Sequence, residues 1–194
     1  LGLPSQLQSR NNHKEKITAH KLPNVLGKEL ILSGSCSEMT LAQVNEFSKK
    51  YRTLKLNPIE LAESNSSLNN AVDWVIQAKG EAPILVYASA PPDAVNEAQR
   101  RLGRDLASSI VENALAKIAS AAVQNGFRRI VVAGGETAGA VVSNLGIKGI
   151  MIGEQIDPGV PTTVSIGNPS IGLVLKSGNF GSADFFEKAL KVMP

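Results

Sequence analysis

The chain has 194 residues, 43% of them hydrophobic, so it is long enough for one sizeable core, and a single domain is expected. Its net charge of +3 is too small to indicate a nucleic-acid surface, and its 4% of aromatic residues offer few platforms for stacked bases. No segment approaches the roughly 18 apolar residues of a membrane span. A single cysteine, Cys36, excludes an internal disulfide and fits a reducing, cytoplasmic location.

The first 27 residues differ from the rest of the chain. Residues 5–24 are polar and show no apolar period, which predicts a linker or a strap across a partner surface. Residues 28–194 are predicted to form the body, as one domain. The chain begins at Leu1 and not at methionine, which is compatible with a fragment or a processed product.

From residue 28 onward, short apolar runs alternate with longer segments of helical periodicity. The runs are 30–32, 51–56 (a weaker candidate), 84–87, 130–133, 150–152 and 173–175; the helical segments are 41–50, 67–79, 100–125, 138–145 and 183–192. Continuous apolar runs are typical of strands covered on both faces of a parallel sheet. The alternation predicts an α/β domain with an open, mostly parallel, Rossmann-like sheet and helices on both faces.

Two local patterns support the helical assignments. Thr40 and Gln43 have the spacing of a capping box at the start of the first helix. The segment 100–125 has an apolar residue every fourth position, which predicts one long amphipathic helix; these residues are Leu102, Leu106, Ile110, Ala114 and Ile118.

Three predicted strands end in loops of small and polar residues. The first loop is 33–37 (Ser-Gly-Ser-Cys-Ser), the second is 134–139 (Gly-Gly-Glu-Thr-Ala-Gly) and the third is 176–181 (Lys-Ser-Gly-Asn-Phe-Gly). Ligands of open parallel sheets bind beyond the carboxyl ends of the strands. Glycine lets backbone N–H groups approach an anion, and a helix N-terminus adds unpaired donors. The three loops therefore predict a phosphate site.

The candidate nucleotide-binding residues belong to these loops: Ser33, Ser35, Gly134, Gly135, Glu136, Thr137, Ser177 and Gly178. The carboxylate of Glu136 would repel phosphate unless it faces Mg²⁺, a ribose hydroxyl or a backbone donor; alternatively it only caps the following helix. Gly178 is expected either to lie against the nucleotide or to serve a turn with positive φ. Lys176 is compatible with a phosphate contact or with a solvated position.

Several known signatures are absent from the sequence. There is no Gly-x-x-x-x-Gly-Lys-Ser/Thr segment, and the glycines of 134–139 do not have the Gly-x-Gly-x-x-Gly spacing, which disfavours a P-loop protein and a dinucleotide-dependent oxidoreductase. The sequence contains no Gly-x-Ser-x-Gly elbow, which disfavours a hydrolase. One cysteine and two histidines near the N-terminus do not provide a structural zinc site.

The loops and their flanks resemble a known family. The segments that carry the resemblance are 33–37, 88–92, 132–141, 156–161 and 175–181 followed by Asp184-Phe185-Phe186. In this order they are similar to the C-terminal nucleotide-binding domain of the four-carbon acid sugar kinases, over about residues 28–194. Ala138 stands where that family usually has serine, which removes one hydroxyl from the second loop.

The resemblance implies an ATP-dependent kinase that phosphorylates four-carbon sugar acids, either tetronates such as threonate and erythronate or 3-oxo-tetronates, with ATP and Mg²⁺. In such proteins a preceding N-terminal domain binds the acid and carries the catalytic residue, so the catalytic residue is expected outside this chain. Residues 1–4 resemble the end of that domain. The alternative is a non-catalytic nucleotide-sensing or interaction module. Neither a nucleic acid nor a membrane is an expected partner, and a homo-oligomer is compatible with the sequence.

Overall fold

A computed structural model describes residues 22–194 of the chain. Its strands are β1 Lys28–Ser33, β2 Arg52–Lys55, β3 Ile84–Tyr87, β4 Phe127–Ala133, β5 Ile150–Asp157, β6 Val160–Ser165 and β7 Gly172–Lys176. Its helices are α1 Glu38–Ser48, α2 Pro58–Glu63, α3 Asn65–Ile76, α4 Pro92–Leu102, α5 Arg104–Gln124, α6 Gly135–Asn144 and α7 Phe185–Val192. The linker predicted for residues 1–27 lies mostly outside the described residues.

The strands form one open sheet in the order β2-β3-β1-β4-β7-β6-β5. The first five strands of this order are parallel to one another, and β6 and β5 continue the sheet in antiparallel fashion. The predicted class, a single α/β domain with an open, mostly parallel sheet, is confirmed. All six predicted strands are present, whereas β6 was not predicted.

The core lies on both faces of the sheet, as the apolar runs predicted. Alternate residues of a strand enter opposite layers, so Leu30 and Leu32 pack on one side and Ile31 on the other. The first layer is covered mainly by α3, α5 and α6, and the second by α1 and α7. The second layer includes Phe47 and Phe186, whose rings pack edge to face with their centroids 6.1 Å apart.

The prediction of one long helix over 100–125 is wrong in its first part. Gly103 has φ +83° and separates α4 from α5, and α4 itself begins at Pro92. Leu106, predicted in the buried stripe, is 54% exposed, while Ala114 and Ile118 further along α5 are buried. Gly103 ends α4 because glycine adopts this conformation without the steric cost of a Cβ.

Two further local predictions are corrected. The N-cap of α1 is Ser37, whose side chain accepts from the Thr40 N–H, so Thr40 and Gln43 do not form the capping box. Strand β5 was predicted to be covered on both faces, but it is the outer strand of the sheet, and Ile152 is 63% exposed.

Helix α5 is long and apolar enough, by length and composition, to cross a membrane. In the structure its inner side packs on the sheet, and it buries Leu115, Ile118 and Ala122 completely. Its apolar character is therefore explained by its position in the core.

Candidate functional site

The three predicted loops start from neighbouring strands at the same level of the sheet. In the sheet order β1, β4 and β7 are adjacent, and the register pairs Ser33 with Ala133 and Ala133 with Lys176. Main-chain hydrogen bonds continue this row: the Gly34 N–H donates to the Ala133 carbonyl and the Gly134 N–H to the Lys176 carbonyl. The parallel sheet therefore brings together three segments that are far apart in the sequence.

The first and third loops are in direct contact. Thr40 Oγ1 donates to the Gly178 carbonyl at 2.7 Å. A Cβ on Gly178 would lie 2.7 Å from Ser35 Oγ and 2.9 Å from Ser37 Cβ. The φ angle of Gly178 is not in the left-handed region, so of its two predicted roles the turn with positive φ is wrong. Glycine is needed at 178 because the two loops touch there.

The second loop is largely the first turn of α6, which begins three residues earlier than predicted. Gly134 is the N-cap, with φ +123°, and a Cβ on it would lie 3.2 Å from the Ser35 N. The N–H groups of the first turn of an α-helix have no intrahelical partners, and glycine has no side chain with which to cap them. They are the donors that an anion meets at a helix N-terminus.

Gln43 of α1 holds the end of the third loop. Its Nε2 donates to the carbonyls of Phe180, Gly181 and Ser182 at 3.0, 3.3 and 2.9 Å. The side chain is fully buried. No local sequence pattern indicates this role, because the residues that Gln43 binds lie more than 130 positions away.

The predicted site residues do not all face the same way. Gly135, Glu136 and Ser177 are exposed, and Ser35 and Gly178 are half-buried where the first and third loops meet.

The other three predicted residues, Ser33, Gly134 and Thr137, are buried. The Oγ of Ser33 lies 2.8 Å from Ser89 Oγ. Thr137 is 4% exposed beneath Gly34 and Gly134. The side chains of Ser33 and Thr137 therefore support the loops from below.

A cavity of about 520 Å³ opens beside the first two loops. Gly34 and Cys36 of the first loop and Glu136 and Thr137 of the second loop line it. The rest of its wall is mostly apolar and comes from the end of β2, α2, the end of β3, α4 and α5; it includes Leu56, Ile59, Ala88, Val95, Ala98 and Val111. A concave, mainly apolar site with few polar groups is typical of small-molecule binding.

Four carboxylates belong to the wall of this cavity, those of Glu60, Glu97, Glu112 and Glu136, and the last two interact with each other. Glu136 lies in the first turn of α6, and Glu112 of α5 lines the same space. Burial raises the pKa of Glu112, and the neighbouring charge of Glu136 raises it further. Glu112 is a candidate that the sequence did not reveal, since only the packing of α5 brings it to the loops.

The structure shows no ready-made metal cage among residues 22–194, where no group of three or more His, Cys, Asp or Glu side chains comes together. Magnesium is commonly held by one or two carboxylates together with substrate phosphates. Glu136 and Glu112 fit that mode of binding.

Lys176 is buried where the first and third loops meet. It is 2% exposed, so the solvated alternative is wrong. Its Nζ donates to Thr40 Oγ1 at 3.0 Å and to the Gly178 carbonyl at 2.9 Å. Burial lowers the pKa of Lys176 to about 8.

Together, the fold and these loops define the class of protein: an open α/β domain whose glycine loops meet at the carboxyl ends of adjacent parallel strands. Residues 30–186 match the family described as the nucleotide-binding C-terminal domain, and the chain belongs to that family. The resemblance derived from the sequence is thus confirmed.

The chain is similar over nearly its whole length to curated 3-oxo-tetronate kinases. It is 44% identical to the one from Pseudomonas fluorescens, over 98% of this chain and 44% of the relative, and 40% identical to the one from Haemophilus influenzae, over 97% of this chain and 45% of the relative. The chain therefore spans less than half the length of these relatives.

Solved structures share the fold. A crystal structure of a Haemophilus influenzae protein of the DUF1537 family superimposes with a TM-score of 0.83 at 40% identity, covering 91% of this chain and 42% of that protein. A Salmonella typhimurium protein described as a putative tRNA synthase gives a TM-score of 0.81 at 33% identity, over 88% of this chain and 42% of that protein.

Proposed function

We propose that this chain binds ATP and forms the nucleotide half of a cytoplasmic kinase that phosphorylates four-carbon sugar acids. The observation that carries the proposal is the meeting of three glycine loops around the uncapped N-terminus of α6, beside an apolar cavity. The names of the relatives, 3-oxo-tetronate kinases, support the tetronate or 3-oxo-tetronate class of substrate.

The phosphates of ATP are placed at the loops. The N–H groups of Gly135, Glu136 and Thr137 begin α6 without intrahelical partners, and the helix dipole adds a favourable field for an anion. The exposed Ser177 and half-buried Ser35 supply hydroxyl groups from the other two loops. Donors held by the fold need no reorganisation when charge develops on the transferred phosphoryl group.

The nucleoside is placed in the neighbouring cavity. Its volume of about 520 Å³ lies in the usual range for small-molecule sites, and its apolar wall suits a purine ring. Glu112 and Glu136 line the cavity, Glu136 from the second loop itself, so that Mg²⁺ carried by the phosphates, or a ribose hydroxyl, would meet them there. Bound Mg²⁺ would neutralise phosphate charge during transfer.

The acid substrate and its catalytic base are assigned to a separate N-terminal domain. This chain matches only 44–45% of the length of the kinases quoted above, so the remaining part of those proteins is available for these roles. A cleft between two domains is a usual place for such a site. The transfer itself requires the γ-phosphate to be held in line with the acceptor hydroxyl.

A matched pair of variants tests the nucleoside placement. Ser108 lines the cavity, whereas the next residue of α5, Ser109, does not, and both are exposed. Ser108→Phe should fill the cavity and weaken ATP binding at least about tenfold, with inorganic triphosphate affinity unchanged. Ser109→Phe should bind both ligands as the wild type does. Equal ATP affinity in the two variants would contradict the placement.

The kinase assignment is tested on the chain itself. Calorimetry should detect ADP and ATP at or below about millimolar concentration, the affinity of a weak but specific site. The chain alone should phosphorylate no tetronate, and activity should appear once an acid-binding domain from a related kinase is added. Absence of nucleotide binding would refute the ATP role. Turnover by the chain alone would refute the division of labour.

A further inference from the structure

A buried lysine lies directly beneath the contact between the first and third loops. Lys176, the last residue of β7, is 2% exposed and donates to Thr40 Oγ1 and the Gly178 carbonyl. Both partners are neutral. Thr40 in turn donates to the same Gly178 carbonyl, so one ammonium group and one hydroxyl together fix the position of the third loop.

The acidic groups on the surrounding elements do not pair with Lys176. Within residues 22–194, four of these acids have other partners: Glu46 pairs with Lys49, Glu187 with Lys50, Asp157 with Lys188 and Asp184 with Ser182. The other three are exposed: Glu38, Glu136 and Glu154. Burial alone accounts for the lowered pKa of Lys176, about 8. In this part of the chain the ammonium therefore lacks a counter-ion.

A charge buried without a counter-ion is costly, and such groups concentrate at functional sites. The start of α6 lies next to Lys176, whose carbonyl accepts from the Gly134 N–H, and the N–H groups of its first turn lack intrahelical partners, so they are donors that attract anions. The hydroxyl groups of Ser35, Ser37 and Thr40 donate in a chain that ends at the Gly178 carbonyl. The group that complements this arrangement is a phosphate.

We propose that Lys176 is a positioning residue, whose buried ammonium group holds the third loop in place and gains the bound phosphate as its counter-ion, so that nucleotide binding is coupled to proton uptake. This inference rests on the proposed nucleotide site. It adds a regulation of that site by pH.

The direction of the coupling follows from electrostatics. In the ligand-free domain about half of the Lys176 side chains are protonated near pH 8. A nearby phosphate favours the charged form and raises the pKa, so binding takes up a proton. Above pH 8 the dissociation constant should rise with pH, by up to about tenfold per pH unit, until the pKa of the bound state is reached.

The test is calorimetry of ADP with Mg²⁺ at pH 8.5, in two buffers of different ionisation enthalpy. All proteins carry Cys36→Ser, so that the thiol lining the cavity does not contribute. The otherwise wild-type protein should take up about 0.5–0.7 proton per ADP, since a group of pKa about 8 is mostly deprotonated at this pH and ADP is expected to raise its pKa by at least about one unit. Lys176→Met should bind at least about tenfold more weakly, with no uptake and no pH dependence above 8. Lys176→Arg should restore affinity without uptake, because arginine stays charged.

Each outcome is decisive. ADP binding with the same proton uptake in the Lys176→Met and wild-type proteins would overturn the role of Lys176 and leave the nucleotide site standing. No ADP binding by the wild type would overturn both. If Lys176→Met does not fold, an NMR titration of labelled lysine side chains in the wild type decides the question. ADP should raise the Lys176 midpoint by at least about one pH unit, and an unchanged midpoint would overturn the inference.

Discussion

Gly135→Val tests whether phosphate binds at the N-terminus of α6. A Cβ at Gly135 would meet no atom of residues 22–194 within 4 Å beyond its chain neighbours and the adjacent backbone of α6, and the φ of Gly135 is not in the left-handed region. Valine is also a better helix residue than glycine. The free energy of unfolding of the ligand-free domain should therefore change by less than about 0.5 kcal/mol, as expected for an unconstrained surface position.

The effect on binding should be much larger. The valine side chain would keep a phosphate away from the N–H donors of the first turn, and losing one hydrogen bond to a charged group costs about 1.5–3 kcal/mol. The dissociation constant of ATP should rise about 10- to 150-fold. Calorimetry with ATP and Mg²⁺, together with melting curves of the ligand-free protein, measures both quantities.

Gly139→Val provides the control for this prediction. Gly139 lies one turn later on α6 and is also exposed, and a Cβ added to it would have no atom of the described residues within 4 Å. Its substitution should leave ATP affinity within about twofold of the wild type. A folded Gly135→Val protein with wild-type affinity would place the phosphate elsewhere, and equal losses in both variants would indicate a general effect on α6.

Other changes test the framework around the site. Gly178→Ala should destabilise the ligand-free domain by about 1–3 kcal/mol, because its Cβ would collide with Ser35 and Ser37; an unchanged melting temperature would show that the loops are not in contact. Gln43→Leu should lower the free energy of unfolding by about 1–3 kcal/mol and speed amide hydrogen exchange in residues 180–182, because their carbonyls lose their shared donor. Wild-type exchange in these residues would contradict this role of Gln43. The hydrogen bond from Lys188 lowers the pKa of Asp157, so this pair should stabilise the fold above about pH 4 and lose its effect as the pH falls further. Urea unfolding of Asp157→Asn should thus differ from the wild type at pH 7, by less than about 1 kcal/mol, and not at pH 2; an equal difference at both pH values would exclude this cause.

The fold class and the meeting of the three loops could be predicted from local sequence. Strands buried on both faces must be apolar throughout, so runs such as 84–87 and 130–133 indicated a parallel sheet without further information. Small polar residues after three of these runs, at 33–37, 134–139 and 176–181, predicted loops at one edge. They do meet there, because parallel strands all end on the same side of the sheet.

Which residues around these loops face the cavity, the core or solvent depends on packing between distant elements. Gln43 had the spacing of a cap residue but binds the third loop, and Leu106 had the spacing of a core residue but faces solvent after the break at Gly103. Lys176 is buried although it begins a predicted loop, and Glu112 reaches the cavity wall although no local pattern indicates it. The physical reason is that periodicity reports which residues share a face of an element, whereas the neighbour that covers that face comes from distant parts of the chain.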